Sequence, residues 1–348
     1  MRRMGECFSF FSPLLNPESS EQVNALEKKF LQQIRTRRLI EESDKVLVAV
    51  SGGPDSMAML SLFCAVKPVL HCELAVAHCN FQLRGEESDA EEQFVRDHCF
   101  SLDLECFVEQ CDTLKSAGEW KKSVEESARI LRYSYFEKVM QEKGYTRVAT
   151  GHHVNDNAET ILFNLFRGVS LHGLKGIRAR HGKIIRPMLL IHKADIIAYL
   201  KEKGIDSRTD TSNLVNDYDR NFIRNRVIPL IEERFPHKLM PSLRRLSEQA
   251  GELEEFLELY FENLIEHEPG LSLTDGELNV HALQQLLIFE QKEVFKRALQ
   301  DLDIPVDNQT LQKLVDLLHT QPGKKVLAGR QLQVLWKGGS LCFMRDLP

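Results

Sequence analysis

Apolar residues in the first two-thirds of the chain fall into short runs separated by segments of helical periodicity. Lys45–Val50 is a continuous apolar run that predicts a buried strand, and Ser56–Val66 repeats its apolar positions at helical spacing. Glu73–His78 predicts a second strand and Glu86–Cys99 a second helix. Leu104–Glu109, Ser123–Lys143, Arg147–Thr150, Asp156–Arg167 and Ile184–Leu190 continue the alternation, and a helix over Lys193–Lys203 closes it. A further helix over Ser20–Arg38 precedes the series. Such alternation predicts an α/β fold with a parallel sheet covered on both faces. Ligands on sheets of this kind sit at the carboxyl ends of the strands. From about Phe235 the pattern shifts to longer helical periods, over Pro241–Ile265, Val280–Leu299 and Asn308–Leu318. Short strands follow near Val326–Leu327, Leu332–Leu335 and Leu341–Phe343. The expected organisation is a disordered leader over 1–18, an α/β domain over 19–232, and a smaller, mainly helical domain with a terminal hairpin over 233–348.

Composition narrows the class. Hydrophobic residues make up 43% and charged residues 28%, ordinary for a soluble globular protein. No apolar run approaches the ~20 residues that span a bilayer, so no membrane partner is expected. Arg2 and Arg3 precede an apolar patch from Cys7 to Leu15, but Pro13 interrupts it and no small-residue cleavage site follows, which argues against a secretory signal. The eight cysteines form no CxxC pair, so a disulfide framework or a zinc or iron–sulfur site is not expected, and reduced thiols in the cytoplasm are. A net charge of −6 argues against a nucleic-acid partner until its distribution is read. Between Glu159 and Asp195 there is no acidic residue, while Arg167, Lys175, Arg178, Arg180, Lys183, Arg186 and Lys193 fall there. Between Asp316 and Asp346 the same holds, with Lys324, Lys325, Arg330, Lys337 and Arg345. The compensating acid is concentrated in Glu248–Glu268. Two basic stretches in an acidic chain predict contact with a polyanion.

The chemistry centres on KVLVAVSGGPDSMAMLSLF, Lys45–Phe63, a strand, a tight turn and a helix. Gly52 and Gly53 let the backbone turn and approach a phosphate without a Cβ clash. The helix beginning near Asp55 or Ser56 offers unpaired N–H groups and the positive end of its dipole. Ser51 and Ser56 add hydroxyls, and Asp55 suits a helix cap, a magnesium ligand, or both. A Walker loop would carry GxxxxGK[ST], yet no lysine lies between Lys45 and Lys67. The loop therefore suits an enzyme that grips pyrophosphate through its backbone while ATP is cut between the α and β phosphates. Further on, RVATGHHVNDNAET puts His152 and His153 just past a strand, with Asp156 and Glu159 spaced as a capping box at the next helix start. The same edge is where ATP would lie, so His152 is a candidate for phosphate or base and Asp156 for orienting or deprotonating an attacking group. Glu125, Arg129 and Arg132 share one face of the helix before it, and Arg132 with Tyr133 suits a phosphate or nucleobase clamp. His78, Asn80 and Arg84 end the second strand as an adenosine-side loop.

SGGPDS resembles the signature of the PP-loop, N-type ATP pyrophosphatases, which share an adenine nucleotide alpha hydrolase-like fold. HCNFQLRGEESDAEEQFV, EESARILRY, GHHVNDNAET, RPML, DTSN and RNFIRNRVIPLI follow in an order similar to that of the tRNA(Ile)-lysidine synthase family, from about Lys45 to Leu230. The region ending in KVLAGRQLQVLWKGGSLCF is similar to that family's substrate-binding domain. Longer members carry a further C-terminal domain, which is not expected in this chain. The chain departs from the family in Asn155 and Asn157 on either side of Asp156, and in lacking a second histidine near Asn80.

The resemblance implies that ATP with magnesium sits on Ser51, Gly52, Gly53, Pro54, Asp55 and Ser56, with Asp55 on the metal. It implies that the wobble cytidine of the CAU-anticodon isoleucine tRNA attacks the α phosphate, and that free L-lysine then displaces AMP to give lysidine. Asp156, His152 and Arg132 are the candidate catalytic residues. Lys175, Arg178 and Arg186 in the first basic stretch, with Arg220 and Arg224 in the arginine-rich Arg220–Arg226, are the candidate tRNA contacts. Asn213 and Asn221 are candidates for holding the domains or the RNA. The alternatives are another PP-loop enzyme that adenylates tRNA, such as a thiolase, an ammonia-using amide synthetase, and a non-catalytic RNA-binding protein.

Overall fold

A computed structural model describes residues 24–169, 171–208, 219–329 and 332–345; the expected leader, the DTSN segment with Asn213, and Arg330 lie outside them. Among the described residues no helix is long and apolar enough to cross a membrane. Contacts divide the chain into two compact units, the first ending at Ala250 and the second beginning at Gly251.

The first unit opens with α1 (Ala25–Thr36), whose capping box joins Asn24 to Glu27. Then come β1 (Lys45–Ala49), α2 (Pro54–Leu70), β2 (Glu73–Asn80), α3 (Glu86–Ser101) and β3 (Cys106–Gln110). α4 (Thr113–Trp120), α5 (Val124–Lys143), β4 (Arg147–Ala149), α6 (Val154–Phe166) and the one-turn α7 (Leu171–Leu174) follow. β5 (Arg180–His181), β6 (Ile184–Ile185) and α8 (Lys193–Lys203) lead to α9 (Asp219–Phe222), a π-helical turn (Ile223–Val227), α10 (Ile228–Arg234) and the start of α11 (Leu239–His267).

The sheet order is β3-β2-β1-β4-β6-β5, parallel throughout except for the antiparallel edge pair β5–β6. Successive side chains of β1 face opposite sides of the sheet. Val46 and Val48 are fully buried with α1, α2 and α8, and Leu47 is fully buried with Phe136, Val139 and Met140 of α5. The strand order reverses between β1 and β4, and ligands of such sheets sit in the crevice at that reversal. The loops after these two strands carry Ser51–Ser56 and Gly151–Asp156.

The strand expected over Ile184–Leu190 stops at Ile185. Pro187 has no N–H to extend the ladder, and the chain turns instead, with the Leu189 N–H on Arg186 O and the Ile191 N–H on Met188 O. α4 was not signalled by its apolar pattern; Asp112 starts it by accepting the Lys115 N–H.

In the second unit α11 is followed by β7 (Glu277–Asn279), α12 (Val280–Gln284), α13 (Ile288–Asp301) and α14 (Asn308–Leu317). β8 (Lys325–Ala328), β9 (Leu332–Lys337) and β10 (Ser340–Arg345) then pair with β7 in a four-stranded antiparallel sheet, β7-β10-β9-β8. The expected hairpin is therefore the centre of a larger sheet. The helix expected over Val280–Leu299 is broken between Gln284 and Ile288. The buried Gln291 amide donates to Leu283 O and Leu286 O there, satisfying carbonyls that the break leaves open.

Candidate active site

The loop after β1 is closed on itself by its two serines. Ser56 Oγ donates to Gly53 O at 2.9 Å and accepts the Ser51 N–H at 3.0 Å, and the two hydroxyls lie 3.2 Å apart. Gly52 takes φ +85°, which favours glycine. α2 starts at Pro54, earlier than expected, with Gly53 at the cap and no side-chain cap bond. Its first N–H groups therefore stay open at the positive end of a 17-residue helix. Asp55 lies in the first turn and does not cap the helix. A Cβ on Gly151, at the end of β4, would stand 3.3 Å from the Asp55 carbonyl carbon, so the two loops meet through backbone.

Asp55 is held by side chains from two other elements. Its Oδ1 is 2.5 Å from Lys193 Nζ, at the first residue of α8, and 3.5 Å from Nε2 of the buried His153. Burial works against its charge, but His153 and Lys193 outweigh that and hold its pKa below the ordinary carboxylate value. Lys193 is anchored by its backbone N–H on Asn155 Oδ1, and α8 is tied to α2 by the Tyr199–Ser61 bond.

Asp156 is the third residue of α6, not its cap. The cap is His153, whose backbone N–H donates to Asp156 Oδ2 at 2.8 Å, so the box is one turn earlier than the Asp156–Glu159 spacing implied. Glu159 does no capping. It is buried and takes both guanidinium contacts of Arg224, at 2.7 and 2.8 Å, while Arg224 also lies 3.6 Å from Asp156. Burial raises the Glu159 pKa, and Arg224 offsets this only in part. A chain of polar contacts therefore runs from Lys193 through Asp55, His153, Asp156 and Arg224 to Glu159.

Ser51, Asp55, Ser56, Arg132, His152 and Asp156 face a common cavity of about 280 Å³, walled by Tyr133, Phe136 and Phe81. Arg132 stacks over the Phe81 ring at 5.2 Å and Arg129 over Tyr133 at 5.1 Å. His152 takes Thr150 Oγ1 at Nδ1, 3.0 Å away. Desolvation and the nearby Arg186, Arg129 and Arg132 lower its pKa to about 4 against the pull of Asp156, so the ring is neutral at pH 7. An NMR titration should therefore show His152 changing charge near pH 4; a transition near 6.5 would refute its placement among these guanidiniums.

The cations expected to meet RNA divide. Arg178 and Arg220 are exposed and Lys175 is half-buried. Arg220 and Arg167 each lie 5.2 Å from the Phe163 ring. Arg186 is buried and donates to Arg178 O at 2.7 Å, bracing the backbone under that basic stretch, and Arg224 is committed to Glu159. In the second unit Lys324, Lys325, Lys337 and Arg345 are exposed. After β2 it is Phe81 that lines the cavity, and not His78, Asn80 or Arg84. His78 is buried with Nδ1 on Val50 O, Asn80 holds Asp89 and Glu92, and Arg84 holds Glu91. Glu159, His153 and Lys193 had no place in the expected catalytic set. Their contacts with Arg224 and Asp55 join segments 65 to 138 residues apart, or depend on a helix register that the sequence left one turn out.

A family model described as a PP-loop domain matches residues 20–231. The chain is 54% identical to a tRNA(Ile)-lysidine synthase of Chlorobaculum tepidum over 92% of its own length and 97% of that protein's. It is 36% identical to a tRNA(Ile)-lysidine synthase of Bacteroides thetaiotaomicron, covering 87% of this chain and 68% of the relative. Among solved structures, the U34-tRNA thiolase NcsA of Methanococcus maripaludis with its [4Fe-4S] cluster superposes with a TM-score of 0.53 over 64% of this chain and 78% of that one. At 18% identity that likeness concerns the fold alone.

Proposed function

The chain belongs to the tRNA(Ile)-lysidine synthase family of PP-loop proteins, and on that ground we propose that it joins free lysine to the wobble cytidine of the CAU-anticodon isoleucine tRNA, with ATP as the adenylating agent. The observation that carries this reading is the single cavity on which the phosphate loop, Arg132 and the Asp156 carboxylate converge. An adenylating ligase needs these three parts within reach of one substrate.

The open N–H groups of α2 and its dipole receive the phosphates. Asp55 offers one carboxylate of hard oxygen, and among the described residues no group of three or more His, Cys, Asp or Glu forms a metal cage. One carboxylate fits a magnesium ion carried largely by ATP's own phosphate oxygens, which would supply charge neutralisation at the loop. Arg132, its guanidinium stacked on Phe81, would stabilise the charge that develops on the α phosphate. His152, neutral, serves the base or ribose as a hydrogen-bond partner. The cytidine oxygen attacks the α phosphate and pyrophosphate leaves. The lysine ε-ammonium gives up a proton to Asp156, and the amine displaces AMP. Arg178, Lys175 and Arg220 contribute the phosphate-backbone contact, with the basic sheet residues of the second unit. A tRNA substrate supports a cytoplasmic location.

Cys79 also lines the cavity, but burial pushes its thiol pKa up to about 12, a poor state for sulfur transfer, which disfavours the thiolase alternative. The test is to incubate the protein with ATP, labelled lysine and the CAU-anticodon isoleucine tRNA, with methionine tRNA as control. Label in the first RNA alone is the expected result; label in neither would overturn the reading.

A further inference from the structure

The loop that grips the phosphates contains no lysine, yet one stands against it in space. Lys193 reaches Asp55 from the start of α8, across 138 residues of sequence, and brings to the loop in space the cation it lacks in sequence. Three features mark this as more than a surface ion pair. The backbone of Lys193 is fixed by Asn155, two residues beyond the His153 that also faces Asp55. The helix it begins is fastened to the phosphate-loop helix itself, through Tyr199 and Ser61. Its side chain is 35% exposed, on a flexible four-carbon stem, so the ammonium can leave the carboxylate without any shift of the backbone.

Building on the reading that ATP occupies this loop, we propose that Lys193 is a pyrophosphate-binding residue that exchanges Asp55 for the β and γ phosphates. In the free enzyme it offsets the charge of Asp55, the acidic residue of the phosphate loop. With substrate present, the more highly charged polyphosphate outcompetes a single carboxylate for the ammonium. Lys193 then stabilises pyrophosphate as it takes up the electron pair of the broken P–O bond. The loop thereby obtains from a second helix what a Walker loop carries within its own sequence.

The experiment measures binding of inorganic pyrophosphate, of ATP and of AMP by calorimetry in EDTA, for the wild type, Lys193→Met and Lys193→Arg. Lys193→Met should weaken pyrophosphate about tenfold, roughly one charge-assisted contact. AMP affinity should stay within about twofold of the wild type, and Lys193→Arg should retain most of the pyrophosphate affinity. The proposal is overturned if Lys193→Met binds pyrophosphate as the wild type does, or if AMP binding falls in parallel, which would mark Lys193 as structural. A wild type that binds neither pyrophosphate nor ATP would instead overturn the ATP reading on which the proposal rests.

Discussion

Asp156→Asn should reduce lysine transfer to tRNA by about 10²–10⁴-fold, the span of a single general base, or about 3–5 kcal/mol of barrier. Pyrophosphate release on adding tRNA should persist, because adenylation requires no proton to be taken from lysine. The substitution is close to isosteric, and an asparagine oxygen can still accept the His153 N–H that closes the helix start, so the fold of the site should survive. What is lost is the acceptor for the ammonium proton. Free lysine is protonated below a pKa of about 10.4, so the uncatalysed supply of neutral amine rises about tenfold per pH unit below it. The Asn enzyme should regain rate on that slope as pH rises from 7 to 9, and the wild type should respond far less. Full lysine incorporation by Asp156→Asn at neutral pH would remove Asp156 from its role.

The phosphate loop and the sheet around it were legible in the sequence because both depend on local signals. Val46–Val50 is apolar without interruption, Gly52 and Gly53 stand where a strand must turn into a helix, and the strand–helix alternation fixes the class of fold. The Asp156 position was also visible, since GHH and the residues after it lie within one strand–helix junction. The helix register was not. His153 competes with Asp156 as the cap, and the choice depends on how the loop after β4 meets Asp55 through Gly151, a contact made across about a hundred residues of chain.

The charge network lay further out of reach. Glu159 read as the second half of a capping box because a spacing of three is all that the sequence displays. Its partner, Arg224, sat in an arginine run that equally suited RNA. Only the packing of α6 against the π-helical turn, through Ile161, Leu162 and Ile223, brings the two together. Lys193 was counted as one charge in a basic stretch, and its distinction from Lys175 or Lys183 arises entirely from where α8 begins on α2.

That pairing sets the second large effect. Arg224→Met should destabilise the protein, because Glu159 would remain buried with no cation. Breaking a fully buried ion pair costs about 3–5 kcal/mol, and the partial exposure of Arg224 should bring this to about 2–3 kcal/mol. The check is the urea midpoint at unchanged slope. The pH dependence has a definite sign. The folded-state pKa of Glu159 is already raised above the unfolded value, so the folded state binds the extra proton, and stability falls as pH rises from the unfolded pKa through the folded one. Removing Arg224 raises the folded pKa further, so the penalty should be full at pH 7 and should shrink as pH is lowered toward 5. Glu159→Gln removes the charge at every pH, so in the Arg224→Met background it should recover at least half of the loss at pH 7, the non-additivity expected of residues in contact. Equal stability of Arg224→Met and the wild type, or a penalty that grows on acidification, would show that Arg224 does not neutralise Glu159. The same substitutions separate stability from chemistry. Glu159→Gln with Arg224→Met keeps a neutral, filled site beside Asp156, so any remaining defect in lysine transfer would measure what the Arg224 charge contributes to holding the base.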